Sequence, residues 1–328
     1  MRAREMFMHQ SVRPLAATLV AASAFFAGST QASCGAAFCS VNTTSGMIDL
    51  PAEGQTRVDL RFEFIDQNQP RSGSRDVAVG EISAHHDEVR TINRNLLATV
   101  DHVFVGGWQL GLTLPVVDRS HTHIHNHHHE GAVLHLNDHW DFTEIGDLRV
   151  DVLRALVRDH HQQVAVRLGV KLPTGSTTVT NDDGDEAERS LQPGSGTTDL
   201  VLGGYWRRVL QGGGAASIGM AAQFATGEHD DYRPGHRLQF DLGYEHPLTP
   251  RLTLPVQLNV LLKARDQGEE AEPEDSGLQT IALSPGLSFE AGGGLRLYGF
   301  YQRPLYQHVH GVQLTAHWSA VLGASYTF

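Results

Sequence analysis

Residues 57–64 read RVDLRFEF, and apolar and charged residues alternate strictly along them. Side chains on a β-strand point alternately to opposite faces, so this stretch predicts a strand with one apolar and one polar face. The same two-residue period recurs about twelve times along the chain. A single soluble sheet rarely contains that many strands. The pattern therefore favours an all-β protein whose antiparallel sheet is large.

The connections between the predicted strands alternate between long and short. Long connections are predicted near residues 67–89, 117–145, 173–197, 226–235, 265–278 and 303–312. Short ones contain turn-forming glycine and proline and are predicted near residues 104–107, 158–162, 208–214, 246–250 and 291–294. A transmembrane barrel has short periplasmic turns, long external loops and an even number of strands. We therefore predict an antiparallel transmembrane β-barrel of about 12 strands over residues 56–328.

The distribution of apolar residues agrees with strands rather than helices in the membrane. No stretch approaches the roughly 18 consecutive apolar residues of a transmembrane helix, which excludes a helical inner-membrane protein. In lipid every backbone N–H and C=O must be hydrogen-bonded, and a closed barrel achieves this without sheet edges. Charged side chains are costly in lipid. We therefore predict lumen positions, with a role in selectivity, for Arg149, Arg167, Lys171, Asp199, Arg237 and Asp241.

The first 32 residues are typical of a secretory signal peptide. Three arginines precede or border a run of small and apolar residues over 14–27, and residues 30–32, TQA, form a small-x-small cleavage site. We predict a signal peptide over residues 1–32. Lipoprotein processing at Cys34 is the alternative, although Gln31 occupies a position where a branched aliphatic residue is preferred.

A short periplasmic segment over residues 33–55 is predicted between the signal peptide and the barrel. It contains both cysteines of the chain, Cys34 and Cys39. In an oxidising periplasm two such close cysteines favour a local disulfide. The alternative is capture of a soft metal ion, for which two thiols alone are an incomplete site.

The chain ends in Tyr-Thr-Phe, with apolar residues at alternate positions before Phe328. This end resembles the C-terminal signature by which the barrel-assembly machinery recognises its substrates. We therefore predict location in a Gram-negative outer membrane, with lipid and lipopolysaccharide as partners.

Net charge is −12, which disfavours nucleic acid as a partner. The acidic runs 182–186 and 269–275 are either solvated loops or a mouth that attracts cations.

Five short stretches carry a family resemblance. They are residues 90–93 (RTIN), 114–115 (LP), 169–175 (GVKLPTG), 191–200 (LQPGSGTTDL) and 203–206 (GGYW). The pattern resembles the outer-membrane transporter-like family named after the meta-pathway of phenol degradation. That resemblance implies a barrel with a transporter or channel role and supplies no catalytic residues. The histidine-rich stretch and the cysteine pair are not part of the shared pattern.

Residues 121–129 read HTHIHNHHH, and the loop pattern predicts that they lie in the second external loop. Alternating histidines place imidazoles on one side of an extended segment, which is a suitable array for Zn²⁺, Cu²⁺ or Ni²⁺. The alternative is a polar loop whose composition has drifted. The candidate metal ligands are His121, His123, His125, His127, His128 and His129.

Three function classes follow from these patterns. The first is a channel or transporter for small solutes, linked to metal ions through the histidine-rich stretch and requiring no cofactor. The second is a barrel that binds or senses metal without transport. The third is an outer-membrane hydrolase, which lacks support because no Gly-x-Ser-x-Gly elbow or lipid-facing His-x-Ser pattern is found. We therefore predict a protein that is not an enzyme.

Overall fold

A computed structural model describes residues 37–43, 50–82, 87–129 and 132–328. The predicted signal peptide lies outside these residues. The described chain is built from antiparallel strands, most of them with the alternating pattern seen in the sequence. The strands are β1 (Thr56–Ser72), β2 (Arg75–Asp76), β3 (Asp87–Phe104), β4 (Trp108–His129), β5 (Ala132–Ile145), β6 (Arg149–Arg158), β7 (Gln162–Lys171), β8 (Asp199–Val209), β9 (Ala215–Ala225), β10 (Arg237–Pro247), β11 (Leu252–Lys263), β12 (Leu278–Gly292), β13 (Leu295–Val309) and β14 (Val312–Thr327).

The sheet closes on itself because the first strand pairs with the last. Strand β1 pairs with β14 from Arg57↔Thr327 to Ser72↔Val312. Each remaining wall strand pairs with its neighbours in sequence, except that β1 pairs directly with β3 and β4 pairs directly with β6. Twelve strands form the closed wall, while β2 and β5 are additional. The prediction of an antiparallel transmembrane barrel of about 12 strands is confirmed.

The outer surface of the wall is apolar, as the alternation predicts. Leu60 and Phe62 of β1 are exposed, whereas Arg61 and Glu63, each the next residue along the strand, are buried inside the barrel. Every second side chain of the wall therefore contacts lipid, and the polar partners face the lumen. Further exposed apolar side chains are Leu96, Leu112, Val152, Leu168, Leu202, Ile218, Phe240, Leu283, Leu297 and Leu322.

The short turns lie where the sequence predicts them, but three long connections differ. The predicted loop 117–145 is instead a β-hairpin, because β4 continues to His129 and pairs with β5 from Val116↔Ile145 to His129↔Ala132. The predicted loop 303–312 is also strand, with a turn at 310–311. Loop 67–89 is shortened because β1 extends to Ser72. Strands longer than the lipid core continue past the membrane, so a loss of apolar alternation does not end them.

Two long loops fold inward at the end of the barrel opposite the chain termini, which we call the outer end. They are residues 172–198, between β7 and β8, and 264–277, between β11 and β12. The second contains two 3₁₀ turns, Glu269–Ala271 and Pro273–Asp275. Within the described ranges, no helix is both long enough and apolar enough to cross a membrane.

Candidate functional site in the barrel lumen

Residues 37–43, the inserted segment, lie inside the barrel. Side chains of the wall hold its backbone: Asn95 Nδ2 donates to Ala37 O (2.8 Å), and Gln239 Nε2 donates to Ser40 O (2.8 Å). Gln257 forms two hydrogen bonds with Asn42, through its amide nitrogen and its amide oxygen. The predicted periplasmic placement of 33–55 is therefore wrong for these residues, because lumen amides satisfy their backbone groups.

Apolar contacts also fix the inserted segment. Val41 is buried against Tyr298, Phe300 and Val321 on the inner face of the wall. Further along the chain, Leu50 packs in a cluster near the short-turn end of the barrel with Leu153, Ala165 and Tyr205. Val41 and Leu50 thus both pack against the inner face of the wall.

The thiol of Cys39 lies on this segment. Its backbone N–H donates to Glu63 Oε2 (3.1 Å), and burial raises the pKa of the thiol to about 12. The thiol is therefore protonated at neutral pH. Cys34 lies outside the described residues, so the disulfide and the metal alternative for this pair both stay predictions.

A cavity of about 190 Å³, the middle cavity, lies beside the inserted segment. Arg57 pairs with Asp101 (2.6 Å), and Arg61 pairs with Glu63 (2.6 Å). The charges that line this cavity are balanced, with four cations and four carboxylates. They are Arg57, Arg61, Arg149, Arg167, Asp59, Glu63, Asp101 and Asp241.

A second cavity of about 110 Å³, the outer chamber, adjoins the middle cavity and is lined in part by loop 172–198 and by Tyr232, Pro234 and Gly235, between β9 and β10. Its charges are not balanced, because six cations face two carboxylates. The cations are Arg119, Arg149, Lys171, Arg189, Arg237 and Lys263, and the carboxylates are Asp147 and Asp199.

Asp147 anchors loop 172–198 to the wall of the outer chamber. Its carboxylate accepts hydrogen bonds from Lys171 Nζ (2.7 Å), Gly175 N (3.1 Å), and both N and Oγ of Ser195 (3.0 Å each). Lys171 Nζ also lies 3.4 Å from Asp199 Oδ2. One buried carboxylate therefore fixes both ends of the loop.

Close backbone contact explains the glycines of the family-like stretches. A Cβ on Gly194 would lie 2.3 Å from Gly175 O, and one on Gly175 would lie 2.7 Å from Gly194 Cα. Leu191, deeper in the same loop, packs with Trp140 of β5 and Leu314 of β14. The loop is therefore seated by both polar and apolar contacts.

A third cavity of about 380 Å³, the inner cavity, opens near the short turns. Arg207 pairs with Glu245 there at 2.7 Å, and Arg57 and Arg296 also line it. Thr43, at the end of the inserted segment, lines both the inner and the middle cavity. The three cavities thus follow one another along the lumen.

All six predicted lumen residues face the barrel interior. Arg149, Lys171, Asp199 and Arg237 line the outer chamber, and Arg167 and Asp241 line the middle cavity. Arg167 pairs with Asp151, and Asp241 accepts a hydrogen bond from Asn259 Nδ2 (2.7 Å). Their predicted role in selectivity stays a prediction.

Sequence reasoning missed two cations of the outer chamber. Arg119 lies in the part of β4 that the pattern assigned to a loop, and its Nε donates to Asn93 Oδ1 (2.7 Å). Arg189 lies in loop 172–198, and its guanidinium donates to Thr177 O (3.0 Å). If the two-residue alternation of β4 is continued past Leu114, it predicts that Arg119 faces the lumen.

The histidine-rich stretch is divided by the fold. His121 and His123 are buried in β4, with His121 Nε2 3.3 Å from His123 Nδ1. Both therefore lie inside the barrel rather than in a solvated external loop. The side chains of His125, His127, His128 and His129 lie outside those that the structure describes. Among the described side chains, no group of three or more potential ligands is placed to hold a metal ion.

Buried carboxyl groups surround the inward-folded loops at the outer end. Burial, reinforced by the neighbouring charges of Glu272, Glu88 and Asp275, raises the pKa of Glu188 well above its ordinary value. Burial likewise raises the pKa of Glu272 to about 8, with Asp275 as the main charged neighbour. By contrast, the tip of the acidic run 182–186 is exposed.

The closed wall, the lipid-facing apolar belt and the internal cavities define a transmembrane β-barrel whose lumen is occupied by its own N-terminal segment. Residues 99–310 match the model of the family described as "Putative MetA-pathway of phenol degradation". This match spans more than half of the chain, so the protein belongs to that family, as the sequence resemblance indicated.

One solved outer-membrane structure has a similar fold, and others match with lower TM-scores. An outer-membrane channel from Pseudomonas putida F1 matches with a TM-score of 0.66 and 14% identity, over 88% of this chain and 100% of that chain. The CymD monoaromatic hydrocarbon channel matches with a TM-score of 0.43 and 9% identity, over 84% and 89%. The KdgM porin matches with a TM-score of 0.43 and 10% identity, over 83% and 99%. No curated protein matches the sequence.

Proposed function

We propose that this protein is an outer-membrane channel through which small solutes pass along the lumen, rather than an enzyme. The observation that carries the proposal is the shared lining of successive cavities. Phe38 and Arg149 line both the outer chamber and the middle cavity, and Thr43 and Arg57 line both the middle and the inner cavity. A solute that passes these two junctions crosses the barrel.

The inserted segment narrows this route. Much of its hold on the wall consists of hydrogen bonds to side chains of β1, β3, β10 and β11. A hydrogen bond of this kind contributes about 0.5–1.5 kcal/mol net, whereas the wall is held by continuous strand pairing. Displacement of the segment therefore costs far less than opening the wall, and we propose that such displacement widens the route.

Deletion of residues 37–43 tests this function in planar bilayers and by liposome swelling. The wild type is expected to conduct weakly, and the deletion variant to conduct several-fold more. Deletion of the exposed residues 182–184 is a matched control, because these residues form a loop tip and line none of the three cavities. The proposal would be contradicted if neither the wild type nor the 37–43 deletion variant conducts. Equal conductance of these two proteins would contradict it as well.

We also propose export by the signal peptide over residues 1–32 and assembly into a Gram-negative outer membrane. Phe328 supports this because its backbone pairs with Thr56 at the seam of the barrel, while its side chain is 61% exposed at the rim. Such a side chain is available to assembly machinery. Truncation of Phe328 is expected to lower the amount of folded barrel in outer-membrane fractions, and unchanged assembly would remove that role.

Metal binding at the histidine-rich stretch is the second candidate function. The close pair of His121 and His123 supports it, and Asp138 Oδ2 lies 3.7 Å from His123 Nε2. Calorimetry with Zn²⁺, Cu²⁺ and Ni²⁺ should compare the wild type with H121Q/H123Q and with a deletion of residues 125–129. Loss of binding in either variant supports the candidate, and identical weak binding by all three proteins dismisses it.

A further inference from the structure

The outer chamber is strongly basic within an acidic chain. The whole sequence has a net charge of −12, yet six cations and only two carboxylates line this chamber. Both carboxylates are already engaged: Asp147 binds Lys171, and Asp199 binds Gln223 and lies near Lys171. The remaining positive charge of the chamber is therefore not neutralised by its own lining.

Two arginines contribute half of this surplus of four cations. Lys263 is paired with Asp266 at 2.8 Å, and Arg189 donates to backbone carbonyls. Among the residues that the structure describes, neither Arg149 nor Arg237 has a carboxylate oxygen within 4.0 Å or a hydrogen-bond partner. The two guanidinium groups line the same chamber. Both side chains are half-buried at the lumen surface, and a bound anion would supply the charged partner that the wall does not.

The chemistry of arginine indicates which anion fits. A guanidinium presents a planar fork of donors that matches a carboxylate, and two forks together favour an anion strongly over a neutral solute. A concentrated positive field in a low-dielectric passage also draws anions inward. Both effects select for charge before they select for shape.

The size and continuity of the cavities favour a small organic acid. The chamber has the volume of roughly three to four water molecules, at ~30 Å³ each in the liquid, which suits a carboxylate group. Arg149 also lines the middle cavity, where Leu97, Leu153 and Met220 supply apolar surface. The short apolar part of such an acid can therefore lie in the middle cavity, beyond Arg149.

We propose that the outer chamber is a binding site for small organic carboxylates, with Arg149 and Arg237 as the residues that recognise the anionic group. This inference names the solute class of the channel and so rests on the proposed function.

Equilibrium dialysis with detergent-solubilised protein tests the site without requiring transport. Butyrate and its neutral isostere butyramide are the probes. We expect the wild type to bind butyrate at least tenfold more tightly than butyramide, and R149Q and R237Q each to lose at least tenfold in butyrate affinity. R251Q is the matched control because Arg251 is exposed in a short turn, and it should bind as the wild type does. Equal affinity for the two probes would overturn the site, as would unchanged binding by both R149Q and R237Q.

A charge-conserving variant distinguishes loss of the binding group from misfolding. R149K keeps the cation and loses the fork, so we expect butyrate affinity between those of the wild type and R149Q; wild-type affinity in R149K would argue against recognition by the fork. Flux of butyrate into liposomes then separates the two proposals. Binding that depends on Arg149 without any flux would support the site and contradict the channel.

Discussion

The outer chamber and the middle cavity are neighbours in one lumen but are organised differently. In the middle cavity cations and carboxylates are equal in number, and Arg57 and Arg61 pair with Asp101 and Glu63 of the wall. In the outer chamber cations exceed carboxylates, and the two carboxylates are used to seat a loop. Cations and carboxylates are therefore balanced where wall strands and the inserted segment line the lumen, whereas the chamber lined by wall and loops has a surplus of cations.

The largest effect is expected from Asp147→Ala, which breaks the outer chamber. The substitution removes four hydrogen bonds and leaves Lys171 buried with Asp199 as its remaining carboxylate partner. Loss of one partner of a buried charge pair costs about 3–5 kcal/mol. Loop 172–198 should become sensitive to protease, measured on protein in liposomes. In the middle cavity, Arg167→Gln should leave this loop resistant; equal sensitivity of both variants would refute the distinction.

A smaller effect is expected from Gly194→Ala, which disturbs the close backbone contact between Gly194 and Gly175 in the same loop without altering charge. The added Cβ would meet Gly175 O at 2.3 Å, so the backbone must shift. Overpacking of this kind costs about 1–3 kcal/mol, which should appear in the urea dependence of loop proteolysis. Gly227→Ala is the control, because a Cβ there meets nothing within 4 Å. Equal shifts in both variants would show that the contact is unimportant.

The acidic surroundings of the loops make the outer end sensitive to pH. The folded pKa of Glu272 is raised to about 8 from an ordinary 4.5, so its protonated form favours the packed loop. Its stabilising contribution is complete below pH 4.5 and is lost as pH rises through about 8. Cleavage in loop 264–277 should therefore be slower at pH 5 than at pH 9. In E272Q most of this dependence should vanish, and a wild-type pH profile in E272Q would contradict the assignment.

The wall could be predicted from the sequence because alternation is a local signal. RVDLRFEF shows which side chains face lipid without any knowledge of the partner strand. The inserted segment could not be predicted, because the hydrogen bond from Gln257 to Asn42 joins positions far apart in the chain. Arg119 and His121 were assigned to a loop because β4 leaves the membrane there and its apolar face ends.

The charges of the outer chamber could be predicted only in part. Arg149 and Arg237 were recognised as lumen residues by their parity on β6 and β10. Their shortage of carboxylates was not visible, because it depends on which loop residues reach the chamber and on Asp147 being occupied by Lys171. Local alternation thus predicts whether a side chain faces lipid or the lumen. Contacts between distant segments decide whether its charge is balanced.

The most direct test of the account compares two adjacent positions of β10 in liposome-reconstituted protein without the native cysteines. Gln239 lines the middle cavity, whereas Phe240 is 41% exposed on the outer face. A water-soluble, membrane-impermeant thiol reagent should modify Q239C, and more rapidly once residues 37–43 are deleted, while F240C stays unreacted within the lipid. Equal or faster modification of F240C would contradict the claim that lipid surrounds this wall and water fills its lumen.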